Sequence, residues 1–297
     1  MTALDLAHLK SWIGRSEVVE DRVDVHRAAQ MAGALGMTEA PALGDELPMP
    51  WHWLYFQPVP HRDNTGQDGH PARGDFLPPV PLPRRMWAGS DVVCHRAPQI
   101  GEQARRVSRV ESVEHKVGRS GDLVFVTVVH TLQDEHERSV LEETQHIVYR
   151  EAAGAAAPAA TGSPDRDLPD IAHQFETTTT PDAVMLFRYS ALTFNGHRIH
   201  YDRDYAVNEE GYPGLVVHGP LIASLLLKLA YDNLGHIDVS GFSFRARRPL
   251  FDGAPMLLRG ALHGEQLTLW ALTPAQELAM RIDARVTADV SAALKTE

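Results

Sequence analysis

The sequence predicts an α+β protein in which antiparallel sheets are wrapped around central helices. Pro220 to Asn233 is apolar on nearly every face, with Leu221, Ile222, Ala223, Leu225, Leu226, Leu227, Leu229 and Ala230, so it needs other structure on all sides. Strand-like stretches follow at Val239–Arg247, Met256–His263, Gln266–Leu272 and Leu278–Thr287. A second strand-rich region, Glu102 to Arg150, comes before it, and its connections are too short for parallel crossovers.

From the N-terminus, Asp24 to Leu35 reads as a helix packed by one face, with Val25, Ala28, Ala29, Ala32 and Leu35 at spacings of three and four, and Gly36 as its stop. Trp51, Trp53, Tyr55 and Phe56 crowd around Leu54, which suits either a core segment or a ligand-stacking one. Residues 58–100 contain Pro78, Pro79, Pro81 and Pro83, which forbid a helix and cannot donate to a central ladder, so an extended loop is expected there. Val and Phe enrich Leu123–Thr131, and Leu141–Tyr149 alternates, with turns at 118–122 and 134–138.

From residue 152 to 170 the composition collapses to mostly Ala, Gly, Pro, Ser and Thr, the signature of a linker. The 297 residues exceed the usual span of one core, so a division into residues 1–151 and 171–297 is expected. In the second half Gly219 precedes the apolar helix, Pro220 suits its first turn and Gly235 follows its end. The last strand places Leu278, Met280, Ile282, Ala284 and Val286 inward, and Ala279, Arg281, Asp283, Arg285 and Thr287 outward.

A formal charge of -11 argues against binding nucleic acid through the global field, which takes an excess of Lys and Arg. The single cysteine, Cys94, rules out an intramolecular disulfide and a four-cysteine zinc site, and fits a reducing cytoplasm. Neither a signal peptide nor a membrane-spanning helix is expected at the N-terminus, because its first ten residues include an Asp and no unbroken apolar run.

Groups able to move or orient a proton are densest between Arg188 and Leu234, where Asn195, His197, His200, Tyr201 and Asp202 fall within eight residues. His197 and His200 also match half of a metal site, but no third ligand stands at a suggestive spacing, so no metal is expected. Tyr201 reads as an anchor of the turn.

Phe-Asn-Gly-His-Arg-Ile-His-Tyr-Asp (194–202), Val-His-Gly-Pro-Leu (217–221) and Phe-Arg-Ala-Arg-Arg-Pro-Leu-Phe (244–251) resemble the double hot-dog MaoC-like and type 2 hydroxyacyl-thioester dehydratases. Pro-Leu-Pro-Arg-Arg-Met-Trp-Ala-Gly (81–89) and Gly-Arg-Ser-Gly-Asp-Leu-Val-Phe-Val-Thr-Val (118–128) resemble the subgroup with mesaconyl-C4-CoA and itaconyl-CoA hydratases. The resemblance spans roughly residues 45–290 and implies a double hot-dog fold, two antiparallel sheets each around a central helix. It implies reversible hydration of a short branched dicarboxylic enoyl-CoA, with coenzyme A as part of the substrate and no other cofactor. Dehydration of a 3-hydroxyacyl thioester in chain elongation is the alternative within the same chemistry, and a non-catalytic thioester-binding module the alternative outside it. A homo-oligomer without membrane or nucleic-acid partners is expected.

The family motif has Asp, Asn two residues on, Pro, and His five residues after the Asp; the matching positions are Asn195, His197, Arg198 and His200. The histidine is kept, but an amide that cannot take up a proton at neutral pH fills the carboxylate position. His200 is therefore the expected main acid/base, with Asn195 orienting water or thioester and His197 or Asp202 as substitutes for the missing carboxylate. Gly219, Leu221 or a near neighbour is the expected donor to the thioester oxygen, since the first turn of a helix carries free amides and Pro220 has none. Arg245 and Arg247 suit coenzyme A phosphates, Arg84 and Arg85 suit phosphates or a free carboxylate, and Trp87 and His218 are expected beside the substrate.

Overall fold

The computed structural model describes residues 4–118, 121–151 and 168–288. The first half runs α1 (Leu6–Lys10), β1 (Ser16–Arg22), α2 (Val25–Ala34), β2 (Arg84–Cys94), β3 (Gln103–Gly118), β4 (Gly121–Asp134) and β5 (Ser139–Arg150). The second runs β6 (Phe175–Thr179), α3 (Ala183–Leu192), α4 (Gly219–Leu234), β7 (Ile237–Ala246), β8 (Met256–His263), β9 (Gln266–Leu272) and β10 (Leu278–Ala288). Most of the expected linker, 152–167, lies outside the described residues.

All ten strands among the described residues join one antiparallel sheet in the order β1-β3-β4-β5-β2-β7-β10-β9-β8-β6. The two expected sheets are thus fused edge to edge where β2 pairs β7, from Gly89 opposite Arg245 to Val93 opposite Gly241. Arg245, expected at coenzyme A phosphates, instead spans this seam: its guanidinium binds both Asp91 oxygens at 2.7 and 2.8 Å and the Ser90 carbonyl at 3.0 Å. Asp91 also takes His146 Nε2 at 2.8 Å. Half-exposed pairs of this kind add little net stability, but they fix how the strands face one another.

The all-round apolar helix is α4, with nine side chains buried from Leu221 to Ala230 and strands of the second half against it. The helix α2 buries Ala28, Met31 and Ala32 and packs on α3; of the face expected from its spacing, Ala29 is exposed and Val25 only half-buried, and Met31 is buried instead. The core around α4 is continuous with Trp51, Leu54 and Leu141 of the first half. A separate cluster on the first half's sheet, including Val110, Val126 and Tyr149, is covered by Leu9 of α1 and by Val80 and Leu82 of the proline-rich loop.

That loop ends earlier than expected, because residues 84–94 form β2. Arg73 holds its far end in place, donating to the carbonyls of Val80 at 2.6 Å and Pro83 at 2.7 Å. In β10 the expected inward residues Met280, Ile282, Ala284 and Val286 join the core around α4, but at a register shift between Leu278 and Met280 the order inverts: Ala279 joins that core and Leu278 a separate cluster with Trp270 and Leu272. A bulge turns one residue off the pleat, and so inverts which side it faces. No helix among the described residues is long and apolar enough to cross a membrane.

Candidate active site

Local chemistry begins at α3. Asp182 caps it by accepting from Met185 N, the helix ends at Leu192, and Phe194 turns the chain at φ 48°. Asn195 Oδ1 then accepts from His197 N at 3.0 Å, so the amide first of all shapes the turn that presents the histidines. Asp202 binds Arg198 at 2.7 Å and caps Tyr205 N at 3.0 Å. It does not line the cavity. With its oxygens committed to that turn, Asp202 does not replace the missing carboxylate, contrary to expectation. Tyr201 is the anchor expected, donating to the Gly196 carbonyl at 3.1 Å.

His200 sits on a short 3₁₀ turn, Arg198–His200, and its Nδ1 lies 2.7 Å from the Val216 carbonyl oxygen. A carbonyl only accepts, so Nδ1 carries the proton and Nε2 keeps its lone pair. Nε2 has no protein partner among the described residues, and His200 lines the cavity. Burial, the largest influence, lowers its pKa to about 4. His218 stacks on it with ring centroids 3.6 Å apart and planes at 19°, and is held by Ser190 Oγ at 2.9 Å from Nε2. At 1% exposure His218 backs the His200 ring rather than reaching far into the cavity. Burial, with His200 and His197 beside it, holds His218 well below the usual imidazole range. His197 is lowered in the same way by burial, His70 and His200.

Gly219 opens α4 half-buried on the cavity wall, and the His218 side chain makes no capping bond to this end. Its amide can therefore point positive charge at an anion in the cavity. A Cβ at 219 would meet only Met280 Cε at 3.7 Å, so crowding by protein does not demand glycine there.

The sequence did not reveal that, besides Arg84, Arg85 and Trp87, the 61–72 loop of the first half reaches this site. The loop at 61–72 docks on the 195–200 turn: Arg198 N donates to the Asp68 carbonyl at 2.9 Å and Arg198 Nη1 to the Gln67 carbonyl at 3.2 Å. Gly69, at φ +86°, lies so close to Gly196 that a Cβ would overlap the Gly196 carbonyl. This brings His70 to the wall with its ring centroid 4.1 Å from His197, and Asp68 Oδ2 3.0 Å from His70 Nδ1. Apart from the Asp68–His70 bond, these contacts span more than 100 residues, and no local spacing announces them.

The cavity these residues line measures about 2660 Å³ and draws on both halves. Arg84 is neutralised by Glu210 at 2.9 Å, with both side chains largely buried, and lies over the Tyr212 ring. Arg85 also lines the cavity, and has no acidic partner among the described residues. Its charge is one of the influences lowering His70, after burial. Trp87 lines the wall within an aromatic cluster, 5.0 Å from Trp53 and 5.7 Å from Phe244, its Nε1 bonded to Ser90 Oγ at 2.9 Å. Trp53 also lines it, while Trp51 and Leu54 are core. Arg247 is exposed at the rim. A further buried acid, Glu143, lies on the same wall between His52 at 3.3 Å and Ser90 Oγ at 2.6 Å.

Asp68, His70 and His197 place potential ligand atoms within 4.8 Å of one another, a grouping different from the His197 and His200 pair. Arg85, whose charge acts on all three, opposes a cation there.

Burial brings His70, His130 and His200 down to about 4. The unfolded chain protonates these groups near pH ~6.5, so between there and pH 4 it binds more protons than the folded chain. Stability should be independent of them above pH 6.5 and fall as pH drops towards 4. A thermal melt at pH 5 is expected below that at pH 7; equal midpoints would show that these imidazoles are not buried neutral.

Residues 50–252 match the family model described as "Hydroxyacyl-thioester dehydratase type 2". The chain belongs to this family. It is 47% identical over 265 residues to the mesaconyl-C(4)-CoA hydratase of Chloroflexus aurantiacus, covering 89% of this chain and 92% of the relative. Among solved structures, a MaoC-like dehydratase from Phytophthora capsici superposes with a TM-score of 0.67 at 13% identity, covering 96% of this chain and 100% of that one. A Mycobacterium tuberculosis protein described as having a double hot-dog fold gives 0.54 at 15% identity, covering 93% of this chain and 96% of that one. The fold is the α+β double hot-dog.

Proposed function

We propose that this hydroxyacyl-thioester dehydratase type 2 family member reversibly hydrates a short branched dicarboxylic enoyl-CoA of the mesaconyl-C4-CoA type to the 3-hydroxyacyl-CoA. The observation that carries this reading is one cavity wall holding an unpartnered His200 Nε2, the Gly219 amide and the uncommitted Arg85. The 47% identity to a hydratase of that name supports the substrate class.

In this scheme His200 Nε2 takes a proton from water as the oxygen bonds the β-carbon. The π electrons move towards the thioester oxygen, where the Gly219 amide steadies the developing charge. The His200 imidazolium then returns a proton to the α-carbon, so the single base acts in both directions. Its low pKa means that it waits as a base and holds the proton only briefly. No metal or redox group is needed for these steps.

In mesaconyl-C4-CoA the free carboxylate is attached to the β-carbon, so its counter-ion must lie close to the base. Arg85, which acts on His70 and His197, meets that requirement better than Arg84, whose charge Glu210 already balances. The rim residue Arg247 suits the coenzyme phosphates. The first half shapes the acyl and coenzyme pocket, and we place the enzyme in the cytoplasm as a homo-oligomer.

Arg85→Gln tests the substrate assignment. Loss of a charge-assisted pair should raise KM for mesaconyl-C4-CoA by about 10- to 100-fold and leave straight-chain crotonyl-CoA nearly unaffected. An equal change for both would remove the carboxylate role.

A further inference from the structure

The family's carboxylate is missing at Asn195; of the second half's acids, Asp202 is held by Arg198, and Glu210 and Glu277 on the cavity wall pair with Arg84 and Arg248. The structure does offer a carboxylate from the first half. We propose that His70, held by Asp68, is a second acid–base residue of this site, connected to His200 through His197. This rests on the hydratase reading above, and it gives His70 the water proton that the one-base scheme assigned to His200.

His70 Nδ1 lies 3.0 Å from Asp68 Oδ2, and Asp68 also takes His70 N at 3.1 Å, so the carboxylate fixes both the ring and its tautomer. The ionised carboxylate only accepts, which puts the proton on Nδ1 and leaves Nε2 with its lone pair. Nε2 has no protein partner among the described residues, and the ring lines the cavity. A carboxylate behind an imidazole stabilises the imidazolium that forms when it accepts a proton, as a carbonyl behind His200 does less well. The carboxylate gives His70 a counter-charge for an accepted proton that His200 lacks.

His197 stands between them. Its ring centroid is 4.1 Å from that of His70 and 5.3 Å from that of His200. Unlike its neighbours, it has neither ring nitrogen hydrogen-bonded among the described residues, so its tautomer is not pinned. Such a ring can accept a proton on one nitrogen and release another from the opposite one. Burial between two other imidazoles keeps it from retaining that proton.

The steps balance with one proton in transit. Water's O–H bond breaks towards His70 Nε2 while the oxygen bonds the β-carbon, and the π pair moves to the thioester oxygen as an enolate. The proton passes through His197 to His200 Nε2. His200 gives it to the α-carbon as the enolate pair forms the C–H bond, and all three rings end neutral. The division of labour puts the carboxylate-backed base at the water and the carbonyl-backed one at carbon.

The test uses the full-length enzyme with mesaconyl-C4-CoA and compares His70→Ala, His70→Gln and Asp68→Asn with His200→Ala. For the His70 variants kcat should fall about 100-fold or more with KM changed less than about threefold, and added imidazole should restore part of the His70→Ala rate. Asp68→Asn should lower kcat with KM held, since an amide no longer balances the imidazolium. If both His70 variants keep kcat within threefold while His200→Ala is inactive, His70 has no acid–base role and the hydratase reading stands. If His200→Ala is active as well, that reading fails with it. Stoichiometric metal in the purified protein that is lost in His70→Ala would make His70 a ligand and overturn the inference.

Discussion

Replacing His200 by alanine is expected to lower kcat for enoyl-thioester hydration by about 100- to 10,000-fold, the usual yield of a positioned acid–base group. The expectation follows from its surroundings. The Val216 carbonyl fixes the proton on Nδ1, His218 stacks behind the ring, and Nε2 is left facing the cavity. Alanine removes the acid–base group and leaves the Gly219 amide in place, so thioester binding and KM should change only a few-fold. Steady-state kinetics with a panel of enoyl-CoA substrates checks this. Survival of hydration within a few-fold for every substrate would turn the chain into a binding module or move the base elsewhere.

The second large effect is expected at Gly69, far from any reacting atom. Its φ of +86° disfavours any side chain, and a Cβ would overlap the Gly196 carbonyl. Gly69→Ala should therefore push the 61–72 loop off the 195–200 turn, strain the Asp68 contact to Arg198 and displace His70 from His197. We expect a lower melting temperature and a loss of kcat of about 100-fold or more, by misplacement alone. Gly33→Ala is the matched control: a Cβ there meets nothing within 4 Å, and the change inside α2 should be neutral or stabilising. Unchanged kcat in Gly69→Ala would mean that the docking of this loop does not matter to the reaction.

The second half was the more legible in sequence. Its strands β7 to β10 and helix α4 follow the expected spans within two residues, because buried alternation and an all-round apolar helix leave strong periodic signals. The strands that gave no signal, β1 and β6, are the two edges of the sheet. An edge strand is paired on one side only, and Ser-Glu-Val-Val-Glu-Asp-Arg and Phe-Glu-Thr-Thr-Thr carry little to bury. The strand β2 was hidden by the prolines just before it, although Arg84 already pairs with Arg150.

The candidate site divides in the same manner. His200, His218 and Gly219 lie on a contiguous stretch whose residue types speak for themselves. Arg245 was misplaced because two arginines of one sign close together resemble a phosphate clamp until the acid across the seam, Asp91, is seen. Asp68 and His70 were invisible as site residues for the opposite reason: their partners lie far along the chain, and only the fold brings them together.

The central claim is hydration of a dicarboxylic enoyl thioester, and the most direct measurement is loss of the enoyl-thioester absorbance with purified protein. Mesaconyl-C4-CoA and crotonyl-CoA should be compared side by side. We predict consumption of mesaconyl-C4-CoA with kcat/KM at least about tenfold above crotonyl-CoA, the worth of one added charge-assisted contact. Hydration of crotonyl-CoA alone, or of neither, would contradict it.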